Sequence, residues 1–179
     1  MTLAADVFDE LLRKVAADAS LGFWAPGLPA PQGSKRHVGN GVMIESSKHV
    51  KPWRESVKWA AREAADASGW VMADGPVVLS VVFLFLRPKN HYGAGKNSGV
   101  LKKDAPIYIT RTPDLSKLIR STEDALVDAG IMRDDSLIVE IGVFKRYGKK
   151  QGAQIWIGKL QNCGRRFVER RKQMAFWRD

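Results

Sequence analysis

Apolar residues recur along this chain at two spacings, and the changes between them mark its elements. Ala4, Val7, Phe8, Leu11, Leu12 and Val15 fall every three or four residues, which predicts a short amphipathic helix over 3–16. Leu21 to Ala25 reads as a short strand ahead of a Pro/Gly-rich stretch at 26–33. Gly39-Asn40-Gly41 predicts a hairpin turn leading into Val42 to Glu45. Trp53, Val57, Ala60, Ala61 and Ala64 then put an apolar stripe on a helix from about Pro52 to Ala67. Pro52 suits its first turn and Gly69 lies beyond its end. Val77 to Leu86 is apolar on both alternating sets of positions, so it predicts a central strand covered on both faces.

Residues 88–106 mix Pro88, Gly93, Gly95, Gly99 and Pro106 with Lys89, Lys96, Lys102 and Lys103. This predicts a long loop, either a plain surface loop or one that touches nucleic acid. Ile107 to Thr110 suits a short strand. Leu115 to Ala129 predicts a helix with Asp114 as N-cap and Gly130 just past its end. Leu137 to Phe144 alternates with period two, placing Leu137, Val139, Ile141 and Val143 on one face, and Gln154 to Leu160 is a further strand. A basic segment from Arg165 to Trp177, compatible with a helix, closes the chain. The pattern divides the chain into an N-terminal helical extension at 1–20, one domain at 21–162 and a basic tail at 163–179.

The composition, 45% hydrophobic and 27% charged over 179 residues, suffices for a buried core. No apolar run approaches the roughly 20 residues of a membrane-spanning helix, and the N-terminus, with Asp6, Asp9 and Glu10, lacks a signal-peptide pattern. Cys163 is the only cysteine, so no internal disulfide forms, and a cytoplasmic protein is expected. His37, His49 and His91 have no partners at zinc-ligand spacing. Any metal is therefore expected on carboxylates.

Charge changes the picture more. From Lys145 to Asp179 there are 11 Lys and Arg against 2 acids, a net of +9, whereas residues 1–144 carry 18 against 17, a net of +1. Such asymmetry points to a polyanionic partner, because phosphate contacts release condensed counterions. A solvated tail that aids solubility is the plain alternative. The window 114–140 reverses the sign, with Asp114, Glu123, Asp124, Asp128, Asp134, Asp135 and Glu140 against Lys117, Arg120 and Arg133, a net of −4. In a nucleic-acid-binding protein this patch repels its partner unless a cation compensates. Mg²⁺ suits the task, since it binds through one or two carboxylates plus water and phosphate. Plain structural roles stand beside that reading. Asp114 can cap a helix, Asp124 and Asp128 can be a solvated face with Arg120–Asp124 as an i,i+4 pair, and Asp134-Asp135 can be a turn.

The order of residues narrows the choice. Thr112-Pro113-Asp114-Leu115-Ser116-Lys117-Leu118, then Asp124-Ala125-Leu126, Gly130 and Asp134-Asp135-Ser136, resembles the RusA family of Holliday junction resolvases. Pro29 to Arg36, Ser46-Ser47-Lys48, Lys51-Pro52-Trp53-Arg54 and His91-Tyr92-Gly93 resemble its phage and prophage members, and the likeness runs roughly from Phe23 to Leu160. It implies an α/β (α+β) fold, a mixed sheet flanked by helices in a single domain. It also implies a homodimer that cuts four-way DNA junctions symmetrically with Mg²⁺, or Mn²⁺ in its place. By matching positions, Asp114 and Asp135 are implied metal-binding and catalytic aspartates, and Arg120 falls where the family has a catalytic Lys or Arg. Asp124 is a further metal candidate or orients Arg120. Ser116 departs from the pattern, standing where the family has a second aspartate. It offers only a weak or water-mediated ligand, with Asp124 or Glu123 available to compensate. The basic side chains Lys35, Arg36, Lys48, Lys51, Lys96, Lys145, Arg146, Lys149 and Lys150 are the expected DNA contacts.

Three functions compete on this reading: a metal-dependent junction endonuclease, a junction-binding protein weakened by Ser116, and a basic RNA-binding module. The last accounts for the tail and leaves the acidic window unexplained.

Overall fold

The apolar run at 77–86 takes an inner position in a sheet, with its helix-facing Val77, Leu79, Val81 and Phe83 fully buried. Its other face is graded from buried Val78 to exposed Leu86, so the expected cover on both faces holds only in part. A computed structural model describes residues 20–33, 35–37, 43–45 and 48–160, with 35–37 and 43–45 as backbone alone. In chain order these form β1 (Ser20–Pro26), β2 (Lys35–His37), β3 (Met43–Glu45), α1 (Val50–Ser68), β4 (Val77–Leu86), α2 (Leu115–Asp128), β5 (Ile138–Gly148) and β6 (Gly152–Lys159). The expected helix at 3–16, the turn at 39–41 and the basic tail lie outside the described residues.

The main sheet has the order β1-β6-β4-β5. β4 pairs antiparallel with β6 and parallel with β5, and β6 pairs antiparallel with β1. The sheet is therefore mixed, and α2 lies in the crossover between its parallel pair. β2 and β3 form a separate antiparallel hairpin, as the Gly-Asn-Gly turn predicts.

Both helices cover one face of the sheet. Trp53, Val57, Ala60 and Ala61 of α1 and Leu118, Ala125 and Leu126 of α2 share a buried core with Leu21 and Phe23 of β1, Val77, Leu79, Val81 and Phe83 of β4, and Ile155 and Ile157 of β6. Two helix ends obey the glycine rule. Gly69 and Gly130 adopt left-handed φ values of 66° and 76°, where a Cβ would be strained.

Two expectations need correction. Residues 107–110 form no strand. A strand must pair its backbone groups with a neighbour, whereas Ile107 and Tyr108 are 75% and 63% exposed. The strict alternation from Leu137 also fails. Asp135–Leu137 is a 3-10 turn, and β5 then advances from Ile138 to Glu140 while β4 advances only from Val77 to Val78. The register skips Val139, so that Ile138 and not Val139 stands in phase with Ile141 and Val143.

Candidate active site

The acidic window wraps around α2, and its spacing decides what meets. Ser116, Arg120 and Glu123 stand at i, i+4 and i+7, on one helical face. The buried face opposite holds Leu118, Ser121, Thr122, Ala125 and Leu126, which fixes the helix's rotation about its axis. Ser121 Oγ donates to Ala30 O (2.7 Å) and Gln32 N donates to Lys117 O (2.9 Å), so the stretch leading to the basic hairpin lies along the first turns of α2.

Several of the carboxylates are already engaged. Asp114 occupies the N-cap position with extended backbone angles, yet its side chain caps nothing and instead meets Lys117 Nζ at 2.9 Å. Both partners are about half exposed, so that pair is worth at most about 1 kcal/mol and is readily released. The expected Arg120–Asp124 pair does not form. Arg54, reaching across from α1, meets Asp124 at 3.4 Å and Asp128 at 2.7 Å. Asp134 accepts from Ser136 N at 2.9 Å and caps the 3-10 turn; the Ser136 hydroxyl first, and then this backbone bond, hold its carboxyl below the usual range.

What remains is a small uncommitted set. Arg120, Glu123 and Asp135, and the exposed Glu140 on β5, have no side-chain hydrogen bond or ion pair among the described residues. Glu123 is half-buried, and its carboxyl is pushed up, first by burial and then by the neighbouring charges of Asp135 and Asp124, with Arg120 opposing. The helix and the 3-10 turn are in contact, and the charges of Asp135 and Arg120 are near enough to bear on Glu123. Sequence reasoning gave Glu123 only an auxiliary role. Its i+7 spacing from Ser116 was the available signal.

The donor chemistry suits a hard divalent cation. Asp135 offers oxygen ligands and, with Glu123, an unbalanced negative charge that such an ion relieves, and Mg²⁺ needs only one or two carboxylates beside water and phosphate. No group of three His, Cys, Asp or Glu side chains able to hold a metal is assembled among the described residues. Asp114 stands nine residues before Glu123, about 13 Å along the helix axis at a rise of about 1.5 Å per residue.

The expected basic contacts separate into two kinds. Lys48, Lys51, Lys96, Lys149 and Lys150 are exposed and free to meet phosphate. Lys35 and Arg36 lie on β2, and their side chains are outside the described residues. Lys145 is turned inward, donating to Arg111 O (2.7 Å) and Pro113 O (2.9 Å), so it holds the backbone that leads into Asp114. Arg146 lies over the rings of Tyr108 and Phe144, at 5.8 and 5.4 Å.

Among the described residues, no helix is long and apolar enough to cross a membrane. A family model described as endodeoxyribonuclease RusA matches residues 26–158, which include every described element from β2 to β5 and nearly all of β6. No curated protein matches the chain.

Proposed function

The chain belongs to the RusA family of endodeoxyribonucleases, and from that premise we propose that it resolves four-way DNA junctions by divalent-metal-dependent hydrolysis of the phosphodiester backbone. The observation that carries this reading is the set of Arg120, Glu123 and Asp135, charged groups of both signs with no side-chain hydrogen bond or ion pair among the described residues.

Asp114 and Asp135 are the carboxylates we assign to the ion, which is Mg²⁺ or Mn²⁺. Ser116 would reach it through water, and Glu123, farther along α2, would add negative charge beside Asp135 without itself being a ligand. Asp124 serves by holding α2 to Arg54. The bound ion supplies Lewis acidity toward the phosphate and polarises water. Arg120 stabilises charge gathering on the phosphate oxygens. Lys48, Lys51, Lys96, Lys149, Lys150 and the hairpin residues Lys35 and Arg36 hold the DNA backbone and make affinity fall with salt. Symmetric cutting calls for two chains related by a two-fold axis, the commonest closed symmetry.

A labelled four-way junction incubated with the purified protein, with and without Mg²⁺ or Mn²⁺, tests this directly. Paired cuts in opposite strands, dependent on metal, are expected together with dimer sedimentation. Binding without any cutting in either metal would favour a second reading, a junction-binding protein weakened at its metal site. The neutral Ser116 and the absence of a three-carboxylate group among the described residues are the observations behind that alternative.

Glu123→Gln separates the metal from the catalysis. A carboxyl whose folded-state proton affinity is raised destabilises the fold when ionised, and that penalty disappears as pH falls below the unfolded carboxylate range. In metal-free buffer at neutral pH the Gln variant should therefore melt slightly higher than wild type. Added Mg²⁺ should raise the wild-type Tm and move the variant's much less. Equal Mg²⁺-induced shifts in both proteins would remove Glu123 from the metal site.

A further inference from the structure

Six residues before Asp114, the chain exposes apolar surface within its most basic loop. Residues 87–113 carry Arg87, Lys89, Lys96, Lys102, Lys103 and Arg111 against Asp104 alone. Ile107 and Tyr108 sit within that segment at 75% and 63% exposure. An exposed apolar pair needs no explanation by itself. The way this pair is held does call for one.

Three consecutive residues of β5 grip the segment. On the upstream side Arg87 donates to Pro106 O at 2.7 Å, and its guanidinium lies 4.1 Å over the ring of Tyr147. Buried His91 packs edge-on against the same tyrosine at 5.6 Å. On the downstream side Lys145 donates to the carbonyls of Arg111 and Pro113. Between them the Arg146 guanidinium faces the Tyr108 ring. Successive β5 side chains alternate between the faces of the sheet, so these anchors hold the loop from both sides of the sheet's edge. Ile107 and Tyr108 are thus presented on a clamped support, with cations on the flanking chain and the acidic site directly downstream.

We propose that Ile107 and Tyr108 form a wedge that packs against the unstacked bases at the branch point of a DNA junction. The proposal rests on the junction-nuclease reading and adds to it the residues that tell a junction from a duplex. Charge complementarity selects DNA as the occupant: the flanking lysines and arginines suit phosphates. The apolar tip suits a base face, which a continuous duplex hides and a branch point opens. Aromatic and aliphatic side chains are the residue types that stack on or insert between bases. The wedge also places the opened branch point beside the backbone that leads into Asp114.

The test uses the full chain in metal-free buffer, where nothing is cut, with a four-way junction and a duplex of matching sequence. Tyr108→Ala should lower junction affinity about 10-fold, the scale of one lost base stack, and leave duplex affinity unchanged. Tyr108→Phe should retain the preference. Permanganate reactivity of branch-point thymines should rise when wild type binds and stay low with Ile107→Ala/Tyr108→Ala at saturating protein. Both side chains are exposed, so the variants' Tm should match wild type. An unchanged junction-to-duplex ratio in Tyr108→Ala, or unchanged thymine reactivity in the double variant, would overturn the wedge alone. A shift of the double variant toward monomer in sedimentation would also overturn it, by assigning this surface to a second copy of the chain. A wild-type protein that binds junction and duplex equally would defeat the junction reading itself.

Discussion

Asp135→Asn is expected to lower junction cutting at least about 100-fold while leaving junction affinity unchanged or slightly tighter. On the proposed reading Asp135 holds the ion that acts on the reacting phosphate, and removing one electrostatic contribution of that kind costs about 10²–10³ in rate. The change keeps the side chain's volume and takes away its negative charge. Asp135 is exposed at the start of a 3-10 turn that Asp134 caps, so the turn survives the substitution. The direction of the affinity change is set by repulsion, since one fewer carboxylate faces the DNA phosphates. Asp134→Asn supplies the contrast. That residue spends its carboxylate on Ser136 N, so its loss should loosen the turn and reduce cutting far less. Measured cleavage rates under single turnover, with binding followed separately, distinguish the two aspartates. Equal losses in both variants would mean that the turn, rather than the Asp135 carboxylate, matters.

That contrast also marks what the sequence could convey. Adjacent aspartates read equally well as a turn or as a ligand pair; Asp134 caps the turn, and Asp135 is left without a side-chain partner among the described residues. The helical period placed α2 and its buried face because Leu118, Ala125 and Leu126 must all leave water together, and the same logic found β4. Period failed at Val139, where a bulge depends on how β5 registers against β4, a relation no single strand encodes. It failed also at 107–110, where β-branched and aromatic residues promised a strand but serve as an exposed tip. Within the acidic window the family pattern drew attention to Asp114, Asp124 and Asp135. Which carboxylates stay uncommitted was decided by Arg54, distant in sequence and brought across from α1. Long-range pairing of that kind leaves no local trace.

The same packing between helices carries the largest expected effect on stability. Trp53 is 1% exposed, and its ring lies 6.2 Å from that of Phe83 on β4. Its indole Nε1 donates to Thr122 Oγ1 at 3.4 Å, while Thr122 Oγ1 in turn donates to Leu118 O. One side chain therefore ties α1, the central strand and α2 together, one residue before Glu123. Trp53→Ala should cost about 3–5 kcal/mol, the range for emptying a large aromatic site in a close-packed core. This is a large share of the roughly 5–15 kcal/mol that holds an ordinary domain folded. Trp53→Phe keeps most of the apolar area but leaves Thr122 Oγ1 without its indole donor, so a smaller loss is expected. The neighbouring ion pairs of Arg54 are partly exposed and contribute little, so Arg54→Ala should move the denaturation midpoint much less. Urea unfolding of the three variants orders these contributions. The Phe variant also carries the functional consequence, because freeing Thr122 should let α2 shift and weaken Mg²⁺ binding beside Glu123 while the fold persists. A Trp53→Ala protein as stable as Arg54→Ala would show that the interhelical core is not what positions the acidic face.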